Sequence, residues 1–149
     1  MCMTDDGEQW TLFRSGQRRA AKDHRCCECG RTIASGEHYA YATGLIDDTW
    51  LSYRTCVQCE AACGWLRIVC GGWVYGLTEE DLVNHVTGDE RDLRSRPLTR
   101  LVRWMKADWR TRSGDLRSVE DVRSVVTDAV DAYRVQFETA VGRQPRMSS

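Results

Sequence analysis

Residues 24–59 read HRCCECGRTIASGEHYAYATGLIDDTWLSYRTCVQC, and this stretch decides the fold. Cys26 with Cys29 and Cys56 with Cys59 form two CxxC pairs, separated by 26 residues. A two-residue gap lets both sulfurs of a pair bend round one ion, and four thiolates suit tetrahedral zinc at about 2.3 Å. All four sulfurs together leave no open coordination position. One structural Zn2+ is therefore expected, its binding coupled to folding and not to turnover. Gly30 can take the positive φ that turns backbone N–H groups toward the sulfurs. The second pair opens a helix, where unpaired N–H groups and the dipole favour thiolate. Such a site carries a formal charge of about −2, which Arg25, Arg31 and Arg54 are placed to offset. The register stays open at three points: Cys27 offers a CxC with Cys29, and His24 or Cys63 is available to replace a ligand.

Outward from the cysteines, Glu37–Thr43 and Thr49–Thr55 alternate as strands, with Gly44–Asp48 as the turn. Val57–Cys70 has helical spacing that sets Cys59, Cys63, Leu66, Val69 and Cys70 on one face, and Gly71-Gly72 ends it. Cys63 and Cys70 are expected to be small buried hydrophobes. Thr78 with Asp81 resembles a capping pair opening a helix to about Val86, where His85 is expected at the surface. Pro97 suits a first helical position, and Leu98, Leu101, Val102, Met105 and Trp109 predict one buried face ending near Ser113-Gly114. Ser118 with Asp121 repeats the capping pattern before a stripe of Val119, Val122, Val126, Ala129, Val130, Tyr133, Phe137 and Ala140. The fold class is α+β: a small zinc module of knuckle, β-hairpin and helix, then a helical C-terminal region. The boundaries are 1–17 for a flexible or partly ordered N-terminus, 18–90 for the module, 91–141 for the helices and 142–149 for a tail.

CCECG, IASGEHY, TWLSYRTCVQC and CGGWVYG, within residues 18–85, resemble the treble-clef zinc-finger class. They are also similar to small cysteine-rich proteins of unknown function common in bacteriophages and prophages. The resemblance implies a treble-clef-like module, a phage or prophage origin and a zinc site at Cys26, Cys29, Cys56 and Cys59. It implies no activity. The expected function is that of a non-catalytic zinc protein that binds a macromolecular partner, a host protein or protein complex, and inhibits it, a defence system included.

With 21 basic and 22 acidic side chains the net charge is −1, which excludes a polybasic protein that coats nucleic acid through bulk electrostatics. A local patch is another matter. Arg91 to Arg117 holds nine basic residues against three acids, and Arg100, Arg103, Lys106 and Arg110 face away from the Leu98 stripe, flanked by Trp104. These five residues form the expected partner-binding surface, and a DNA- or RNA-binding regulator is the alternative reading. The competing expectation is a solvated face paired with Glu120, Asp128 and Asp131. A treble-clef nuclease is the third reading; it needs a catalytic metal set, and the hairpin offers His38 alone. No phosphate loop, HExxH or GxSxG occurs, so the chain is expected not to be an enzyme. Six tryptophans and two prolines argue against disorder. Trp50, Tyr53, Trp73 and Tyr75 are expected to pack round the zinc core. No apolar run reaches the roughly 18 residues of a membrane span. The acidic start, MCMTDDGE, lacks a secretory pattern, so a cytoplasmic location with reduced thiols is expected, the host cytoplasm for a phage protein.

Overall fold

The computed structural model describes residues 12–86 and 96–141. Two short strands, β2 (His24–Arg25) and β3 (Thr32–Ile33), pair antiparallel and hold the first CxxC in their turn. Gly30 closes that turn at φ 77°, a left-handed value open to glycine without a Cβ clash, and its N–H donates to Cys26 O at 3.1 Å. β4 (His38–Ile46) and β5 (Thr49–Cys56) form the expected hairpin. Its turn is tighter than the five residues predicted, because Leu45 pairs with Trp50 and Ile46 with Thr49. Asp47 and Asp48 alone make the turn, both at positive φ (45° and 61°), the two-residue geometry whose twist matches the strands.

An additional strand, which the sequence does not announce, is β1 (Leu12–Arg19), paired along its length with β4 so that the sheet order is β1-β4-β5. Phe13 to Arg19 are all exposed, so the strand has no apolar alternation to betray it. Backbone hydrogen bonds to β4 hold it instead.

α1 (Val57–Cys70) starts where β5 stops: Cys56 is its N-cap, accepting from Cys59 N–H through Sγ, and Gly71 at φ 81° ends it as expected. α2 (Thr78–His85) departs from its expected cap. Thr78 is fully buried with Oγ1 3.1 Å from Cys63 Sγ, and the Glu28 carboxylate instead accepts from Gly76 N–H (2.9 Å) and Thr78 N–H (3.1 Å). The knuckle thus caps a helix some 50 residues further along.

α3 (Arg96–Lys106) stops well short of Ser113-Gly114. Asp108 and Trp109 take φ of 54° and 59°, Trp109 N–H donates to Trp104 O, and Arg110 bridges to Leu116 across a tight loop. Trp109 is buried as expected, but from this turn and not from a helical stripe. α4 (Val119–Val141) has its expected cap: Ser118 Oγ accepts from Asp121 N–H at 3.1 Å. Ser118→Ala should lower stability by about 1 kcal/mol, read as a shift of the thermal midpoint with the native circular dichroism spectrum unchanged.

The core is continuous from the knuckle to α4. Cys26, Ile33, Cys56 and Cys59 share it with Trp65 and Leu66 of α1, Leu82 of α2, Leu101 and Met105 of α3, Trp109, and Val122, Val126 and Ala129 of α4. Tyr133 sits outside it, 39% exposed, and the side chains of Phe137 and Ala140 lie outside the described residues. Tyr53 stacks on Tyr75 (4.4 Å) and Trp73 meets Tyr75 edge-on (5.7 Å), as expected of aromatics packing near the module. Trp50 does not join them; it is 60% exposed at the far end of β5. No described helix is long and apolar enough to cross a membrane.

Candidate metal centre

The four sulfurs of Cys26, Cys29, Cys56 and Cys59 all lie within 4.8 Å of one another. A tetrahedral site with bonds of about 2.3 Å places its sulfurs about 3.8 Å apart; Cys29 Sγ and Cys56 Sγ are 4.0 Å apart. Cys26, Cys56 and Cys59 are buried and Cys29 half-buried, so the cluster opens to water on one side only. Three N–H groups aim at sulfur: Cys56 N to Cys26 Sγ (3.3 Å), Cys59 N to Cys56 Sγ (3.4 Å) and the Trp109 indole to Cys59 Sγ (3.1 Å).

The thiols share their charge unequally. Hydrogen bonds from the Cys29, Cys56 and Cys59 sulfurs pull Cys26 down, whereas the bond to Cys26 pushes Cys56 up and burial pushes Cys59 up. The bond to Cys26 acts to raise Cys29, but bonds from the Cys56 and Cys59 sulfurs leave it lowered, so the first pair is favoured as thiolate over the second. A divalent cation removes this competition, since it binds all four as thiolates.

Of the three arginines expected to balance the charge, Arg31 is the one buried at the cluster, 4% exposed. It grips Glu37 with both terminal nitrogens (3.2 and 3.1 Å) and donates to Gln58 Oε1 at 2.7 Å. Burial acts to lower its pKa, but the Glu37 bonds and the field of Cys56 hold it raised. Arg54 lies instead over the Tyr41 ring at 6.0 Å, and Arg25 is exposed beside Gly30.

The substitute ligands are engaged elsewhere. Cys27 Sγ lies 3.4 Å from Thr55 Oγ1, with burial pushing its pKa up to about 11; Cys63 contacts Thr78; His24 faces the Tyr39 ring at 5.3 Å. Cys70 is half-buried and disulfide-bonded, so the expectation of reduced thiols fails there. His85 is not a free surface side chain: Nε2 lies 3.3 Å from Cys70 Sγ, Nδ1 2.7 Å from Asp81 O, and its ring meets Trp65 edge-on. Among the described residues the cysteine cluster is the one group of three or more metal-ligating side chains.

Three supporting residues carry no local sequence signal. Trp109 reaches Cys59 across 50 residues, Gln58 Nε2 donates to Arg117 O across 59, and Glu28 caps α2. Only the fold brings them together.

The partner-binding residues are placed less simply. Arg100, Arg103, Lys106 and Arg110 are exposed, and among the described residues no ion pair joins them to Glu120, Asp128 or Asp131. Lys106 Nζ instead lies 3.6 Å from Glu79, and Arg110 donates to Gly114 O from the loop beyond α3. Trp104 is half-buried under the Arg117 guanidinium, 4.2 Å from its ring centroid. Its face is thus already covered by a cation of the same chain. His38 is exposed on β4. Comparisons with family models, curated proteins and solved structures returned no match.

Proposed function

We propose that this chain is a non-catalytic zinc protein built on a treble-clef-like module, in which Cys26, Cys29, Cys56 and Cys59 hold one structural Zn2+. The four converging sulfurs carry this reading. A knuckle, a hairpin and a helix contribute them in the order a treble clef requires, and four sulfur ligands leave no position for substrate. The nuclease alternative lacks support: a second ligand set does not assemble round His38 among the described residues.

The wider reading is that a macromolecular partner binds the exposed face of Arg100, Arg103 and Lys106, with Trp104 and Arg110 at its rim. A protein target, such as a host complex inhibited by a phage product, is favoured over nucleic acid here because Arg117 covers the Trp104 ring and leaves no free base platform. Two measurements test the proposal on the full chain. Elemental analysis should find one zinc per folded chain, retained in Cys27→Ser. Capture of partners from a bacterial lysate should survive nuclease treatment and weaken in Arg103→Glu with Lys106→Glu. Folded protein without zinc would end the metal reading, and recovery that depends on nucleic acid and is lost in the Arg103→Glu with Lys106→Glu variant would turn the partner reading to the regulator.

A further inference from the structure

Residues paired directly across antiparallel strands point to the same side, so the register sorts the three-stranded sheet into two faces. On one face Ala42 pairs with Tyr53 and Ala40 with Thr55; Ala42 and Thr55 are buried, and Tyr53 is stacked on Tyr75. That face is covered over β4 and β5, while Phe13, Ser15 and Gln17 of β1 stay exposed. The other consists of four rows: Leu45–Trp50, Arg14–Thr43–Ser52, Gly16–Tyr41–Arg54 and Arg18–Tyr39–Cys56. The knuckle covers the last row at Tyr39 through His24, while Arg14, Arg18, Ser52 and Trp50 are exposed and Tyr41 and Arg54 half-buried. The face is open over most of its length.

Its charge is one-sided. None of the four rows contains an acid, and among the described residues no ion pair neutralises Arg14, Arg18 or Arg54. Of the carboxylates near the face, Asp23 accepts from Ser35 N–H and Glu37 is paired with Arg31, whereas Asp47 and Asp48 stand exposed in the turn beside Trp50, away from the rows of Arg14, Arg18 and Arg54. The Arg18 guanidinium carbon lies over the Tyr41 ring, 3.8 Å from its centroid, with that of Arg54 at 6.0 Å. Stacking of this kind holds the guanidinium in one plane and leaves its N–H edge free to grip a phosphate. The Tyr41 hydroxyl reports the same field, lowered by hydrogen bonds to Ser52 and Thr43 and by Arg18 and Arg54. At the end of the face, in register with Leu45, Trp50 stands 60% exposed.

We infer that this open sheet face is a binding site for single-stranded nucleic acid, in which Arg14, Arg18 and Arg54 contact phosphates and Trp50 stacks on a base. Charge complementarity selects a polyanion, and the exposed ring selects a strand with unpaired bases, because a duplex keeps its base faces stacked inside. The site is separate from the α3 face and does not rest on the partner proposed for it.

The test uses the purified full chain and a fluorescent oligothymidine of about 20 nucleotides, long enough for one site, followed by anisotropy as salt rises. Arg14→Gln with Arg18→Gln should weaken binding roughly tenfold and flatten the log–log salt slope by about 1.4, the loss of two phosphate contacts on a single strand. Trp50→Ala should weaken it at least about fivefold and leave the slope alone. Arg100→Gln with Arg103→Gln should change neither. All these side chains are exposed, so circular dichroism and zinc content should match the parent; were the double variant misfolded, Arg14→Gln alone and Trp50→Ala decide the matter. The inference is overturned by absence of binding in the parent, by an unchanged slope, or by loss of binding in the α3 variant. Duplex bound as tightly as the single strand, with Trp50→Ala without effect, overturns the single-strand assignment.

Discussion

If the four sulfurs hold zinc as proposed, Cys56→Ser should release it and unfold the module, the largest single effect expected in this chain. Cys56 is at once the last residue of β5, the N-cap of α1 and a buried member of the cluster. Its sulfur accepts from Cys59 N–H, and its own N–H donates to Cys26 Sγ. A serine hydroxyl can keep the cap but does not supply a thiolate. Structural zinc contributes on the order of 10 kcal/mol or more, comparable with the whole stability of a domain of this size. Loss of the circular dichroism signal and of one zinc per chain are the expected readouts. A variant that keeps its fold and its metal would show that Cys56 is not a ligand. Acidification should act in the same direction, because protons compete with the cation for each thiolate.

Trp109→Ala should destabilise the chain by about 3–5 kcal/mol, the usual range for emptying a fully buried tryptophan site. Trp109 is fully buried, and its indole N–H donates to Cys59 Sγ at 3.1 Å. Truncation therefore opens a cavity between the cluster, α3 and α4, and removes a donor from a thiolate. Trp109→Phe separates the two effects: it keeps most of the apolar volume and loses the N–H, so its midpoint in urea should fall between those of the parent and the alanine variant. Zinc transfer to a chromogenic chelator should be faster in both. If both variants release zinc at the parental rate, the C-terminal half does not brace the metal.

Much of the centre was legible because metal ligation is a short-range constraint. Two sulfurs of one pair must lie a turn apart, so the CxxC spacing is visible in the chain itself, as are the helix that Gly71 stops and the separate helix that Ser118 starts. What failed to show were features held by distant partners. β1 has polar, exposed side chains and exists through its backbone ladder to β4, to which no residue pattern points. Trp109 lies at helical spacing from Met105 and reads as one more member of a stripe, but a left-handed turn at Asp108 and Trp109 carries it out of the helix and onto Cys59. Thr78 looks like a cap in sequence; burial against Cys63 takes its hydroxyl away, and Glu28 does the capping.

The sequence by itself determined which residue types could form a four-thiolate site and that helices and a hairpin would surround it. Spacing already preferred Cys26 over Cys27, and the structure agrees; tertiary structure alone decided that Arg31 and not Arg25 is the buried counter-charge, and that Trp50 is exposed while Trp104 is covered. The physical reason is the range of the interactions. Spacing and propensity act over a few residues, whereas burial, charge compensation and the open or covered state of a sheet face depend on what packs there from 30 to 60 positions away.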